Sequence, residues 1–403
     1  MTATDIQSLE ARHVLQTYKR QPVVFVAGDG LRLTDIDGRS YLDFISGIGV
    51  SVLGHGHPAL SAAIGEQAAT LLHTSNLYYH PLQGQVAARL ATLSGLQRSF
   101  FCNSGTEAME ACLKFARRYW FTQGISGRTG YVAFEHGFSG RSMGALSVTA
   151  NAHYREPFEP LIPGVTFVSP DDVAALEAAV TSTTAAIVVE PIQGEGGVRP
   201  IPRALAAAIE RICTTTGTLL IADEIQCGLG RTGAAFYYQT LGLTPDLVTV
   251  GKALGGGVPV GAALVSEDVA AQVLPGDHGT TYGGNLLATR AALVVLEALM
   301  DRGLLTHVAE VGAYFESRLT ALAAKHAVVR EVRGAGLMRG LELTVDATPV
   351  VEGALAHGLL VNRTAERVVR MLPPYTVTTT DIDEAVATLD AVLAGLPAEA
   401  TAQ

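Results

Sequence analysis

LLIADEIQCGLGRTGAAFYYQTLGLTPDLVTVGKALGGG, residues 219–257, is the stretch that decides how this chain folds. It holds two short apolar runs. Leu219–Ala222 ends at Asp223, and Asp246–Val250 ends at Gly251-Lys252. Bounded runs of this length, rich in β-branched residues, predict buried parallel strands, and α/β proteins bind ligands at the carboxyl ends of such strands. A carboxylate and an amine are thus offered to one crevice.

A lone Asp or Lys after a strand is most often half of an ion pair at the sheet edge. The combination opens a second chemistry. An amine with a depressed pKa forms a Schiff base, and a carboxylate keeps a pyridine nitrogen protonated; these are the protein's two main contributions to pyridoxal phosphate catalysis. Spacing alone does not decide between the readings, so the remainder of a site must be found elsewhere in the chain.

Composition narrows the classes. With 403 residues and 48% hydrophobic content, the chain can bury a large core and form two or more domains. A net charge of −10 and the lack of any basic stripe argue against a nucleic-acid or anionic-membrane partner. Cys102, Cys112, Cys213 and Cys227 form no CxxC pair, which points to a reduced, cytoplasmic setting with structural thiols. The first twenty residues have no continuous apolar region, and the apolar stretch 291–300 is short and interrupted by Glu297, so neither a leader nor a membrane span is expected.

Taken in order, the chain opens with Val23–Val26, Leu31–Thr34 and Tyr41–Phe44, separated by Gly28-Asp29-Gly30 and Asp37-Gly38, which predict a small antiparallel sheet. Residues 46–58 form a Gly-rich loop before an Ala-rich helix; His55 and His57 lack the ligand cluster a metal needs, so they are assigned to the turn. Ser99–Asn103 reads as a strand followed by a helix, with Ser104 and Glu107 spaced as a capping box. Gly105 and Thr106 then open a helix N-terminus that can cradle a phosphate, or merely cap itself. After the strand Tyr131–Phe134 come Phe138 and Arg141, an aromatic that can stack on a ring and a planar fork that can grip a carboxylate. The strand 185–190 leads into a Gly-rich loop bearing Glu195, and His278–Asn285 is a second loop rich in Gly and Thr. The final helix is placed to open at Thr380 with Asp383, burying Ile382, Ala385, Val386, Leu389, Val392 and Leu393.

Two motifs are set aside. Gly228–Gly233 matches GxGxxG but starts well past the strand end at Asp223. Gly251-Lys252 ends like a Walker A loop, yet Ala253 stands where Ser or Thr is required.

The phrase Asp223-Glu224-Ile225-Gln226, the segment Thr249–Gly257 and the motifs above, from about Tyr18 to Pro374, closely resemble the class III aminotransferases, the ornithine and acetylornithine branch of the fold-type I pyridoxal phosphate enzymes. The resemblance implies an α/β fold: a large domain, 51–300, with a mostly parallel seven-stranded sheet between helices, and a smaller α+β domain made of 1–50 and 301–403. It implies that Lys252 holds the cofactor and moves the proton, Asp223 pairs with the ring nitrogen, Gln226 bonds the phenolic oxygen, Phe138 stacks on the ring, and Gly105, Thr106 and Thr281 fix the phosphate. Arg141 would grip the substrate carboxylate, Thr280 would lie near substrate, and Glu195 would pair with Arg370 as a gate.

Thr281 is implied to act across a homodimer interface, so that each site is shared. The implied reaction is transamination of N2-acetylornithine with 2-oxoglutarate in arginine biosynthesis. Ornithine, succinylornithine, 4-aminobutyrate and carrier-linked lysine-pathway semialdehydes are alternative substrates; a decarboxylating or isomerising relative and a nucleotide-binding regulatory module are alternatives of other classes. Ser139 departs from the pattern, which leads us to expect His there.

Overall fold

In the computed structural model, which describes residues 1–396, the two apolar runs are neighbouring parallel strands. The N-terminal strands β1 (Phe25–Asp29), β2 (Arg32–Asp35) and β3 (Ser40–Asp43) form the expected antiparallel meander, turning at Gly30 and Gly38. Both glycines have positive φ, 53° and 85°, a conformation that costs a residue with a Cβ. His55 bonds Asp43 at 2.8 Å and His57 caps the helix Pro58–Thr70, so both histidines hold the turn.

The large sheet uses β4 (Arg98–Cys102), β5 (Gly130–Phe134), β6 (Val165–Val168), β7 (Thr184–Val189), β10 (Leu219–Asp223), β11 (Leu247–Val250) and β12 (Gly261–Val265); β8 (Ile192–Gln193) and β9 (Arg199–Pro200) form a ribbon beside it. The strand order is β4-β12-β11-β10-β7-β5-β6. Only β12 runs against its neighbours. Along β10, Leu219 and Ile221 enter one apolar cluster while Leu220 and Ala222 enter another, so the period of two feeds both faces. Helix Gly105–Thr122 covers one face with Met109, Phe115 and Trp120; Arg203–Thr216 and Leu286–Asp301 cover the other. That burial on both sides is why β10 reads as a continuous apolar run.

The C-terminal part follows helix Leu304–Lys325 with β13 (Val329–Ala335), β14 (Met338–Leu343), β15 (Leu359–Leu360), β16 (Asn362–Thr364) and β17 (Val368–Met371). β13, β14, β17 and β16 form an antiparallel sheet, while β15 pairs with β3 and ties the C-terminal segment to the N-terminal one. The GxGxxG run is a structural corner: Arg231, 1% exposed, donates to the carbonyls of Leu337 and Pro373.

The final helix corrects the sequence reading. It spans Thr379–Ala394 and is capped by Thr378 with Asp381, two residues before the predicted Thr380 and Asp383, although the predicted apolar face is buried throughout. Residues 397–403, the end of the expected 301–403 segment, lie outside the described residues. Among the described residues no helix is long and apolar enough to cross a membrane.

Candidate active site

Asp223 closes β10 directly opposite Thr249 of β11, and Lys252 follows β11 across Gly251. Strand register therefore brings the carboxylate and the amine to the same end of the sheet. Asp223 Oδ1 accepts from Thr249 Oγ1 at 2.9 Å and from the Ile225 N–H at 3.2 Å. Its Oδ2 is buried with no partner among the described residues. An orphaned carboxylate oxygen is costly, so a site that keeps one is prepared for a donor from outside the chain. Burial raises the Asp223 pKa, opposed by the Thr249 and Ile225 hydrogen bonds and the Lys252 charge. Burial lowers the Lys252 pKa, and the charge of Arg370 lowers it further. Lys252 sits at φ 35°, in the left-handed region, at the start of a single 3₁₀ turn.

Facing these strand ends is the N-terminus of helix Gly105–Thr122. Ser104 Oγ accepts from the Glu107 N–H as expected, but the second half of the capping box differs. Glu107 reaches the N–H and side-chain amide of Asn103, at 2.6 and 3.0 Å, rather than Ser104. A Cβ on Gly105 would meet Ile225 Cδ1 at 2.7 Å, so a larger residue here would push the Ile225 side chain aside. Thr106 Oγ1 bonds Ser142 Oγ at 2.7 Å. Free amides, a threonine and a serine thus meet at a helix start, the chemistry of a phosphate cradle.

Phe138 follows β5 and lines the same cavity, of about 260 Å³, as Gly105, Thr106, Asp223, Gln226 and Lys252. Arg141 and Glu195 line it too. The Arg141 guanidinium lies 3.5 Å from the Tyr154 ring centroid and 5.7 Å from that of Phe138, so stacking holds its fork flat at the rim. Tyr154 escaped the sequence reading. Ser139, where His was expected, is buried, and its amide donates to Thr149 Oγ1 at 3.0 Å.

Glu190 was also missed, because it looks like the last residue of an apolar strand. It lines the cavity, accepts from the Phe138 N–H at 2.8 Å and from the Gly194 N–H at 3.1 Å. Burial and the nearby Asp223 charge raise its pKa.

Glu195 and Arg370 are joined. Arg370 Nη1 lies 2.6 Å from Glu195 Oε1 and 3.1 Å from Gln226 Oε1, and Arg370 Nε donates to Asn362 Oδ1 at 3.2 Å. Burial raises the Glu195 carboxyl, but the charge and hydrogen bond of Arg370, with the Lys252 charge and Gln226, together outweigh it and hold the pKa below its ordinary value. Glu195 and Phe138 line both the inner cavity and a wider vestibule of about 860 Å³, while Arg370, 1% exposed, stands behind Glu195. Thr280 and Thr281 are not in their own chain's cavity. Thr280 Oγ1 accepts from Asn103 at 3.2 Å, and Thr281 is exposed on the loop before Leu286.

The residues fit pyridoxal phosphate: the lone Asp223 oxygen suits a pyridinium N–H, the helix start suits the phosphate, and Lys252 lines the same cavity as both.

This is the fold and site of a pyridoxal phosphate-dependent transferase. The structure matches an ornithine aminotransferase from Toxoplasma gondii with a TM-score of 0.93 at 33% identity, covering 98% of this chain and 95% of that one. It matches an acetylornithine aminotransferase from Elizabethkingia anophelis with a TM-score of 0.87 at 28% identity, covering 98% and 100%. In sequence, acetylornithine aminotransferase of Methanocaldococcus jannaschii is 45% identical over 386 residues, 95% of this chain and 96% of that protein. That of Thermosynechococcus vestitus is 46% identical over 396 residues, 96% of each. Residues 14–393 match the family model Aminotransferase class-III, and the chain belongs to that family.

Proposed function

We propose that the chain moves the δ-amino group of N2-acetylornithine to 2-oxoglutarate, giving N-acetylglutamate semialdehyde and glutamate, the transamination step of arginine biosynthesis. The similarity to acetylornithine aminotransferases supports the substrate. The observation that carries the reading is the Glu195–Arg370 pair at the cavity mouth. While Glu195 occupies Arg370, an ω-amino donor enters amine first and its α-carboxylate is left to Arg141. When Glu195 withdraws, Arg370 is freed to bind the α-carboxylate of glutamate or 2-oxoglutarate. Two substrates with carboxylates at different distances from the reacting amine thus share one site.

Bound pyridoxal phosphate supplies an electron-accepting ring that stabilises a carbanion at the substrate carbon. Lys252 Nζ, depressed in pKa by burial, holds the cofactor and then takes and returns the proton of that carbon. Asp223 Oδ2 would keep the ring nitrogen protonated, Phe138 would stack on the ring, Gln226 would bond the phenolic oxygen, and Gly105 and Thr106 would hold the phosphate.

Thr281 of a second copy completes the phosphate site, and Thr280 lies near its substrate, which makes the working unit a homodimer. Exposed Leu77, Tyr78, Tyr79 and Tyr282 offer an apolar surface for that contact. The expected domain boundaries near 50 and 300 and a cytoplasmic location complete the reading; the β3–β15 pairing supports the first, and four free cysteines support the second.

Ornithine is the second reading, favoured by the likeness to the Toxoplasma gondii enzyme. Purified, cofactor-loaded protein incubated with 2-oxoglutarate and either donor tests the assignment. Glutamate formation is expected with N2-acetylornithine at much higher kcat/KM than with ornithine; the reverse preference would overturn it.

A further inference from the structure

Glu190 ties together two loops that carry different parts of the site. Its Oε1 accepts the N–H of Phe138 at 2.8 Å, and its Oε2 accepts the N–H of Gly194 at 3.1 Å. The first loop bears the aromatic ring of the cavity and Arg141. The second bears Glu195, one residue beyond Gly194, whose carboxylate holds Arg370 at 2.6 Å. The two loops pack closely where they meet: a Cβ on Gly196 would strike the His136 carbonyl at 2.7 Å. The two oxygens of one carboxyl group thus serve one amide in each loop, which a shorter or apolar side chain at 190 does not do.

We propose that Glu190 is a positioning residue that couples the Phe138 loop to the Glu195 loop, so that the resting place of the gate is set from the cofactor side. The proposal rests on the aminotransferase reading above and deepens it. With the Gly194 anchor lost, Glu195 covers Arg370 less often. Arg370 then competes with Arg141 for the donor's α-carboxylate and mis-seats the donor, while 2-oxoglutarate, which uses the freed Arg370, binds as before.

The test is Glu190→Gln, whose amide sets an N–H₂ against one of the two backbone donors. The expected result is a rise of about tenfold in KM for N2-acetylornithine, with KM for 2-oxoglutarate within about twofold of wild type. In the cofactor-free protein, amide hydrogen exchange should quicken in residues 137–141 and 194–198 and stay unchanged in β10. In a Glu195→Ala background, Glu190→Gln should add nothing to the donor KM, because both act through one gate. Equal loss for both substrates, unchanged exchange, or additive effects would overturn the coupling. If Glu190→Gln does not fold, Glu190→Asp, which keeps the carboxyl but falls one methylene short of bridging both amides, gives the same reading. Failure of wild-type protein to use N2-acetylornithine would sink the substrate assignment instead, and the exchange measurement would still judge Glu190.

Discussion

The cradle around Lys252 and the gate at Glu195 and Arg370 are built from different materials. The cradle is made of strand ends and a helix start, so folding of the central sheet sets it: Asp223 stands opposite Thr249 because β10 and β11 pair in that register. The gate is one side-chain pair spanning 175 residues of sequence, from a loop beside the large sheet to β17 of another sheet. Its halves are unequal. The Arg370 side chain is 1% exposed and keeps Gln226 and Asn362 as further acceptors, while the Glu195 side chain is 40% exposed. On the proposed reading, Arg370 would be the fixed half and Glu195 the one that moves. Chemistry is assigned to the rigid region, and choice between substrates to the region that one ion pair holds.

Substitutions can break or sharpen that division. The largest effect is expected for Lys252→Ala: turnover falls by on the order of 10³-fold or more, and the variant loses the visible absorption of lysine-linked cofactor. Substantial activity in this variant would end the assignment of Lys252. Asp223→Asn should lower kcat by about 10²-fold or more for every substrate alike, since it acts on the ring rather than on selection. A loss confined to one substrate would move Asp223 out of the cradle. Arg370→Ala should instead divide the substrates, raising KM for 2-oxoglutarate about tenfold to a hundredfold while the amino-donor half-reaction changes only a few-fold. Steady-state kinetics with each substrate varied in turn distinguishes these patterns.

The smallest effect concerns stability at the back of the cradle. Burial pushes Glu224 up to about 7 from an ordinary 4.5, while it accepts from the Tyr238 N–H. A carboxyl raised in the folded state contributes stability that is full below about pH 4.5 and lost as pH rises through about 7. Glu224→Gln stays neutral, so its stability relative to wild type should improve on going from about pH 5 to about pH 8, by on the order of 2 kcal/mol. Denaturant melts at the two pH values measure it; a difference that does not change with pH would contradict the ionisation argument.

What the sequence disclosed follows the same division. The ends of β10 and β11 were legible nearly to the residue because apolar runs stop where the strands leave the sheet. The helix start at Gly105 was legible from Ser104, although Glu107 chose Asn103 over Ser104. The register of the last helix was not, because Thr376, Thr378, Thr379 and Thr380 all offer a hydroxyl and only tertiary packing chooses Thr378. Glu195 and Arg370 were brought together by resemblance alone, since no local pattern links residues so far apart. Glu190 and Tyr154 stayed hidden: one ends an apolar strand, the other lies thirteen positions from the arginine it stacks on, and neither spacing has a period. The pairing of β3 with β15 was equally out of reach of local rules.

The most direct test of the division is the wild-type and Glu195→Ala half-reactions, followed by cofactor absorbance, with N2-acetylornithine and with glutamate separately. The account predicts that Glu195→Ala leaves the glutamate half-reaction as fast as wild type or faster and slows the N2-acetylornithine half-reaction about tenfold or more at low donor concentration. Equal slowing of both would show that Glu195 serves the chemistry or the fold rather than the choice of substrate.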